Sequence, residues 1–78
     1  MKLTEIKPGL KVRILRVDRH GVRQRLALHG LLEGDVVCLK RTAPWNGPLL
    51  LEVGEREVAI GRGIAEKIEV EPLPCALP

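Results

Sequence analysis

Seventy-eight residues suffice for one domain and no more, and a chain this short buries only about 60–65% of the surface its unfolded form exposes. The 45% apolar share excludes disorder over most of the length, and Leu, Ile and Val supply 26 residues while Trp45 is the only aromatic, which excludes a base-stacking platform of several rings. The net charge of +3 divides unevenly, with +6 on residues 1–41 and −3 on residues 42–78.

In chain order, Pro8-Gly9 is a turn. Lys11 to Asp18 reads as a strand in which Val12 and Ile14 alternate, after which Leu15 and Val17 alternate out of phase. One extra residue between Ile14 and Leu15, a β-bulge, accounts for the slip and bends the strand as a small barrel requires. Val22 to His29 has helical spacing, with Val22, Leu26 and His29 on one face and Gly30 where a left-handed cap is expected. Leu31 to Asp35 turns into a strand over Val36–Lys40, β-branched at its start.

Thr42 to Pro48 is a loop, marked by two prolines and Asn46-Gly47. Leu49, Leu51 and Val53 then alternate along a strand, and Gly54-Glu55 forms a tight hairpin into Val58-Ala59-Ile60. Gly61-Arg62-Gly63 turns the chain, Ile64 to Ile68 holds one helical turn at most, and Glu69-Val70-Glu71 is the final strand. Pro72, Pro74 and Pro78 cannot donate ladder hydrogen bonds, so residues 1–71 form the domain and residues 72–78 a tail. The fold class is mainly β: a small five-stranded barrel with one short helix and one further helical turn. Its expected core is Val12, Ile14, Leu26, Val37, Leu39, Leu51, Val53, Val58, Ile60, Ile68 and Val70.

The inventory of reactive groups argues against an enzyme. Serine and tyrosine are absent, Thr4 and Thr42 stand alone, and Cys38 or Cys75 with His20 or His29 matches no nucleophile signature. Gly61-Arg62-Gly63 lacks the third glycine and the Lys-Ser/Thr end of a phosphate loop. Glu55 with Glu57 and Glu69 with Glu71 alternate along strands as a solvated face. The two cysteines make no disulfide framework; Cys38 is expected as a small apolar strand residue and Cys75 as a tail thiol. His20, His29 and Cys38 are borderline metal ligands that share no face or tight turn, so no metal site is assigned. His29 is expected to pack in the core, and His20 beside Gly21 to lie in a loop.

Binding chemistry is better represented. Arg13, Arg16, Arg19, Arg23 and Arg25 fall within thirteen positions and suit nucleic acid, anionic lipid or an acidic protein face. Trp45, between Pro44 and Asn46-Gly47-Pro48, is either a lid over the barrel mouth or an exposed interface anchor. No apolar run approaches the ~20 residues that span a bilayer, and no signal-peptide hydrophobic region follows Met1, so the expected compartment is the cytosol, without membrane insertion.

Three motifs in order carry a resemblance: Leu26-x-x-x-Gly30-Leu31-x-x-Gly34-Asp35, then Pro44-x-x-Gly47-Pro48, then Val58-Ala59-Ile60-Gly61-Arg62-Gly63-Ile64-Ala65-x-x-Ile68-x-Val70. Over roughly residues 3–71 the chain resembles the FeoA family. The resemblance implies a cytosolic SH3-like barrel that assists ferrous iron uptake by binding the cytoplasmic, GTP-binding part of the membrane transporter FeoB. It implies transition-metal association but no universal ligand set, so neither a cofactor nor a metal ligand is carried over. Similar domains end metal-dependent repressors of the DtxR type, where they serve as interaction modules. Partner contacts are then expected at Arg16, Arg19, Arg23, Arg25 and Trp45, with weak self-association as a further expectation. The alternatives are a nucleic-acid-binding barrel, opposed by the modest charge and single aromatic, and a small metal carrier, which lacks ligand spacing.

Overall fold

The structure, a computed structural model, describes residues 1–73. Aliphatic residues alternating with charged ones build five strands: β1 (Lys11–Val17), β2 (Val36–Thr42), β3 (Leu49–Val53), β4 (Arg56–Ile60) and β5 (Ile68–Pro72). Helix α1 (His20–Leu28) joins β1 to β2, the four-residue α2 (Arg62–Ala65) joins β4 to β5, and a 3-10 turn at Leu3–Glu5 precedes them all. The strands form one antiparallel sheet in the order β4-β3-β2-β1-β5. Inward residues of all five strands meet in one aliphatic cluster, so the sheet curls around it as the expected SH3-like barrel.

Ten of the eleven expected core residues are buried, and Val53 is the exception. It lies half-buried against the cluster, beside the Gly54 turn where the sheet ends. Leu3, Ile6, Val17, Leu31, Leu49 and Ala65 complete the buried set. Leu3 and Ile6 are held there because the first residues add to β5: Val70 N–H donates to the Met1 carbonyl at 2.7 Å, and Lys2 bridges to Glu69. The β1 bulge lies where the phase slip put it, between Ile14 and Arg16 in the pairing with β5. The extra residue is Leu15, which points outward, while Val17 returns to the core. A second register shift, between Leu39 and Arg41 of β2, bends the other side of the sheet.

Two expectations about the helix are corrected. His20 is the first residue of α1 rather than part of a loop. His29 is exposed at the helix end rather than packed in the core, because α1 stops one residue earlier. Gly30, at φ +77°, lets the Leu31 N–H reach back to the Leu26 carbonyl and the Gly30 N–H to the Ala27 carbonyl, each at 2.9 Å. This is a Schellman closure, and it brings buried Leu31 beside buried Leu26, filling the place expected of His29.

The two hairpins differ in turn chemistry. Between β3 and β4, Val53 pairs with Arg56 across Gly54-Glu55, with positive φ confined to Gly54, as in a type II′ turn. Between β2 and β3 the expected loop is a continuation of the hairpin: Thr42 pairs with Leu49, and Ala43 N–H donates to the Pro48 carbonyl at 2.9 Å. Gly47 N–H then donates to the Pro44 carbonyl at 3.1 Å. The central residues are therefore Trp45 and Asn46, both left-handed at φ 55° and 57°, as a type I′ turn requires. Gly47 is needed for close approach, since a Cβ there would stand 2.7 Å from the Ala43 Cβ. At the other end of the chain Pro72 closes β5 opposite Val12, on a sheet edge where no N–H is missed, and Leu73 N–H donates to the Lys11 carbonyl at 3.0 Å. Of the expected tail, residues 74–78, Cys75 included, lie outside the described residues.

Candidate functional site

The arginines cluster where β1 leaves the barrel and α1 begins. Arg16 sits on the outward side of β1, Arg19 caps α1, and Arg23 and Arg25 lie on the helix. Two of the four are engaged at home. Arg16 Nη2 lies 3.2 Å from Asp18 Oδ1, and Arg23 Nη2 lies 3.3 Å from Glu33 Oε2. Glu33 Oε2 also accepts the Val17 N–H at 3.0 Å, so Arg23 and Glu33 brace the turn before β2 against the end of β1. Arg19 and Arg25 have no ion pair among the described residues.

The local electrostatics of this end are positive beyond the side-chain count. Helix α1 has no acidic residue in its first turn and no side-chain cap, so the positive end of its dipole adds to Arg19 rather than being offset. Arg19 itself is held at φ 67°, a left-handed conformation uncommon for a residue with a side chain. Apolar surface accompanies the charge: Leu28 is 86% exposed on the outer side of α1, and Leu32 follows the Schellman closure at 54%. Only Leu26 of the nine helical residues is buried. Such a surface suits an acidic partner with an apolar complement.

Trp45 lies at the other end of the molecule. Lys11 at the start of β1 pairs with Cys38, so β2 runs on past β1 to the Trp45 turn while α1 follows the opposite end of β1. Up to about 20 Å of extended strand separates the Lys11–Cys38 pair from either end. The geometry thus gathers Arg16, Arg19, Arg23 and Arg25 and separates them from Trp45. Trp45 is 95% exposed, which removes the lid alternative.

Two ion-paired groups lie between these ends, at Lys40 and at the Met1 amine. Lys40 Nζ lies 3.0 Å from Glu57 Oε2 and 3.6 Å from Glu52 Oε2; the hydrogen bond and charge of Glu57, then the charge of Glu52, hold the Lys40 ammonium above the usual lysine range. The Met1 amine, 3.0 Å from Glu69 Oε2, holds that carboxyl below the usual carboxylate range. The neighbouring outer surface carries shallow depressions of ≈ 170 to ≈ 220 Å³, smaller than the ~300 Å³ from which small-molecule sites begin. His20 and His29 are exposed at opposite ends of α1, and Cys38 is a half-buried free thiol in β2. Among the described residues no group of three His, Cys, Asp or Glu side chains could hold a metal ion. No helix among them is long and apolar enough to cross a membrane.

Comparison with known proteins places this geometry. The family model described as the FeoA domain matches residues 1–72. An Fe(2+) transport protein A/Fe(2+) transporter FeoB fusion protein of Porphyromonas gingivalis is 33% identical over 72 residues, which is 91% of this chain and 8% of that protein. The chain thus spans under a tenth of that relative's length. Among solved structures, the crystal structure of an iron uptake regulatory protein (FeoA) superposes with a TM-score of 0.82 at 31% identity, covering 94% of this chain and 96% of the other. The solution structure of iron(II) transport protein A from Clostridium thermocellum gives a TM-score of 0.87 at 30% identity, covering 94% and 46%.

Proposed function

This chain belongs to the FeoA family, and from that membership we propose that it is a cytoplasmic accessory module of ferrous iron uptake that docks on the GTP-binding part of an Fe(2+) transporter. The observation that carries the reading is the Porphyromonas gingivalis relative, whose name joins an Fe(2+) transport protein A to the transporter FeoB in one fusion protein. Such a transporter is thereby the natural partner for a chain whose surface, among the described residues, offers cationic and apolar binding chemistry.

The docking surface is the β1–α1 end. Arg19 and Arg25, without an ion pair among the described residues, supply cationic contacts, and Arg16 and Arg23 supply further charge once Asp18 and Glu33 are outcompeted. Leu28 and Leu32 supply the apolar part. A surface built this way is steered by charge, so its association rate falls with ionic strength. The module turns over no substrate itself.

The test is a calorimetric titration of this chain into the cytoplasmic GTP-binding part of the transporter at low and at high salt. The proposal requires binding that weakens at least tenfold between the two, with no GTP hydrolysis by this chain alone. Equal affinity at both salts contradicts the arginine surface. A preference for duplex or single-stranded nucleic acid over the transporter contradicts the function.

A further inference from the structure

The outward side of the β2–β3–β4 surface departs from the polar pattern that a solvated barrel wall shows. Arg41 of β2 pairs across the sheet with Leu50 of β3, and Leu50 pairs with Ala59 of β4. The next row toward the hairpin tip is Ala43 opposite Pro48. Glu52 and Glu57, opposite each other on β3 and β4, are both ion-paired to Lys40 at the β2 bulge, whereas these four apolar side chains, Ala43, Pro48, Leu50 and Ala59, stand together on the outside. These residues line a shallow, mostly apolar depression of ≈ 200 Å³. Beyond it the same hairpin projects Trp45, 95% exposed and fixed by a left-handed backbone between two prolines.

We propose that this face pairs with a second copy of the chain, each copy's Trp45 indole seated over the other's Ala43–Pro48–Leu50–Ala59 depression. Three observations select this occupant. The depression is too small for a drug-sized molecule and of the order of one aromatic side chain, and the only aromatic ring in the sequence is Trp45. Knob and depression lie on the same hairpin, so one two-fold axis with the hairpins antiparallel fills both at once, as an isologous contact requires. The segment 42–51 has no charged residue, and Arg41 has no ion pair among the described residues, which leaves its guanidinium free to lie against the incoming indole.

A rigid turn presents the ring at little further entropic cost, while the contact is small, so the dimer is weak and transient. It uses the end of the molecule opposite the arginines. It neither requires nor excludes transporter docking, and the two readings fail independently.

The experiment is sedimentation velocity from micromolar to millimolar concentration, read together with the emission of Trp45. Wild type should shift from monomer toward dimer as its emission moves to the blue. Trp45→Ala removes the knob, and Ala59→Arg blocks the depression while keeping the only fluorophore; each should weaken pairing at least tenfold with an unchanged far-UV circular dichroism spectrum. Adding non-fluorescent Trp45→Ala in excess to Ala59→Arg restores one of the two contacts and should shift the emission blue again. The inference is overturned if wild type stays monomeric at millimolar concentration with red, freely quenched emission. It is equally overturned if the blue shift occurs at constant protein concentration only on adding phosphatidylglycerol vesicles or the transporter's cytoplasmic part.

Discussion

Trp45 makes an unusual prediction for the largest side chain in the molecule: replacing it by a residue suited to its left-handed backbone should stabilise the monomer. With 95% of its surface exposed, the roughly 200 Å² of a Trp side chain leaves only about 10 Å² buried, or ~0.3 kcal/mol of burial. Against this stands the left-handed backbone at φ 55°, which costs an ordinary L residue about 1–2 kcal/mol. Trp45→Ala keeps the Cβ and therefore the strain, so it should change stability by less than about 0.5 kcal/mol. Trp45→Asn, tolerant of the left-handed region, and Trp45→Gly, free of the strain but more disordered when unfolded, should both stabilise, by about 0.5–1 kcal/mol. The assay is urea denaturation followed by far-UV circular dichroism, at a concentration low enough to keep the chain monomeric. A loss of 1 kcal/mol or more in Trp45→Ala would mean that the ring packs against the barrel, and would refute the reasoning.

Leu26→Ala should cost about 3 kcal/mol, since Leu26 is the one buried residue of α1 and closes the Schellman contact with Leu31; the same variant should speed amide exchange in α1 more than in β3, and a cost below 1 kcal/mol would show that the helix is held elsewhere. Glu69 titrates below the usual carboxylate range when folded, so its contribution to stability is present above that range and is lost as pH falls through the lowered value. Glu69→Gln should therefore flatten the acid limb of the stability profile, by an amount that added salt reduces. Lys40 behaves oppositely: its raised value gives a contribution present below the usual lysine range and lost as pH rises through the higher one, so Lys40→Met should flatten the alkaline limb.

The strands were readable because Val12, Ile14, Leu49, Leu51, Val58 and Ile60 report their faces by spacing alone, and because the out-of-phase Val17 betrayed the β1 bulge. The β2 bulge left no such trace, as no apolar residue follows Leu39 in that strand to reveal a slip. Leu3 and Ile6 belong to a segment too short to alternate, and their burial depends on pairing with β5 far along the chain. His29 has helical spacing from Leu26, yet the Gly30 closure ends the helix first and gives the inward place to Leu31. At the candidate site, the arginine cluster was legible from its spacing, whereas its internal ion pairs and its separation from Trp45 were not. That Arg23 is tied by Glu33, and that Trp45 stands at the end opposite the arginines, follow from strand register, a tertiary property invisible to local pattern. The type I′ turn was likewise hidden: two prolines and Asn46-Gly47 marked residues 42–48 as a loop, while the left-handed pair at its centre is Trp45-Asn46, and a tryptophan carries no local signal for that conformation.

The docking of the β1–α1 end on the transporter is tested most directly by charge reversal at the two arginines there that have no ion pair among the described residues. Binding of the Arg19→Glu/Arg25→Glu variant to the cytoplasmic GTP-binding part of the Fe(2+) transporter should be at least tenfold weaker than that of the unaltered chain. Arg13→Glu, on the β1 strand where Arg13 faces Glu71 at 3.8 Å, makes half of that charge change outside the surface and should bind within about threefold of the unaltered chain, a difference under 1 kcal/mol. Undiminished binding by the double variant, with the fold intact, would contradict the assignment of this surface.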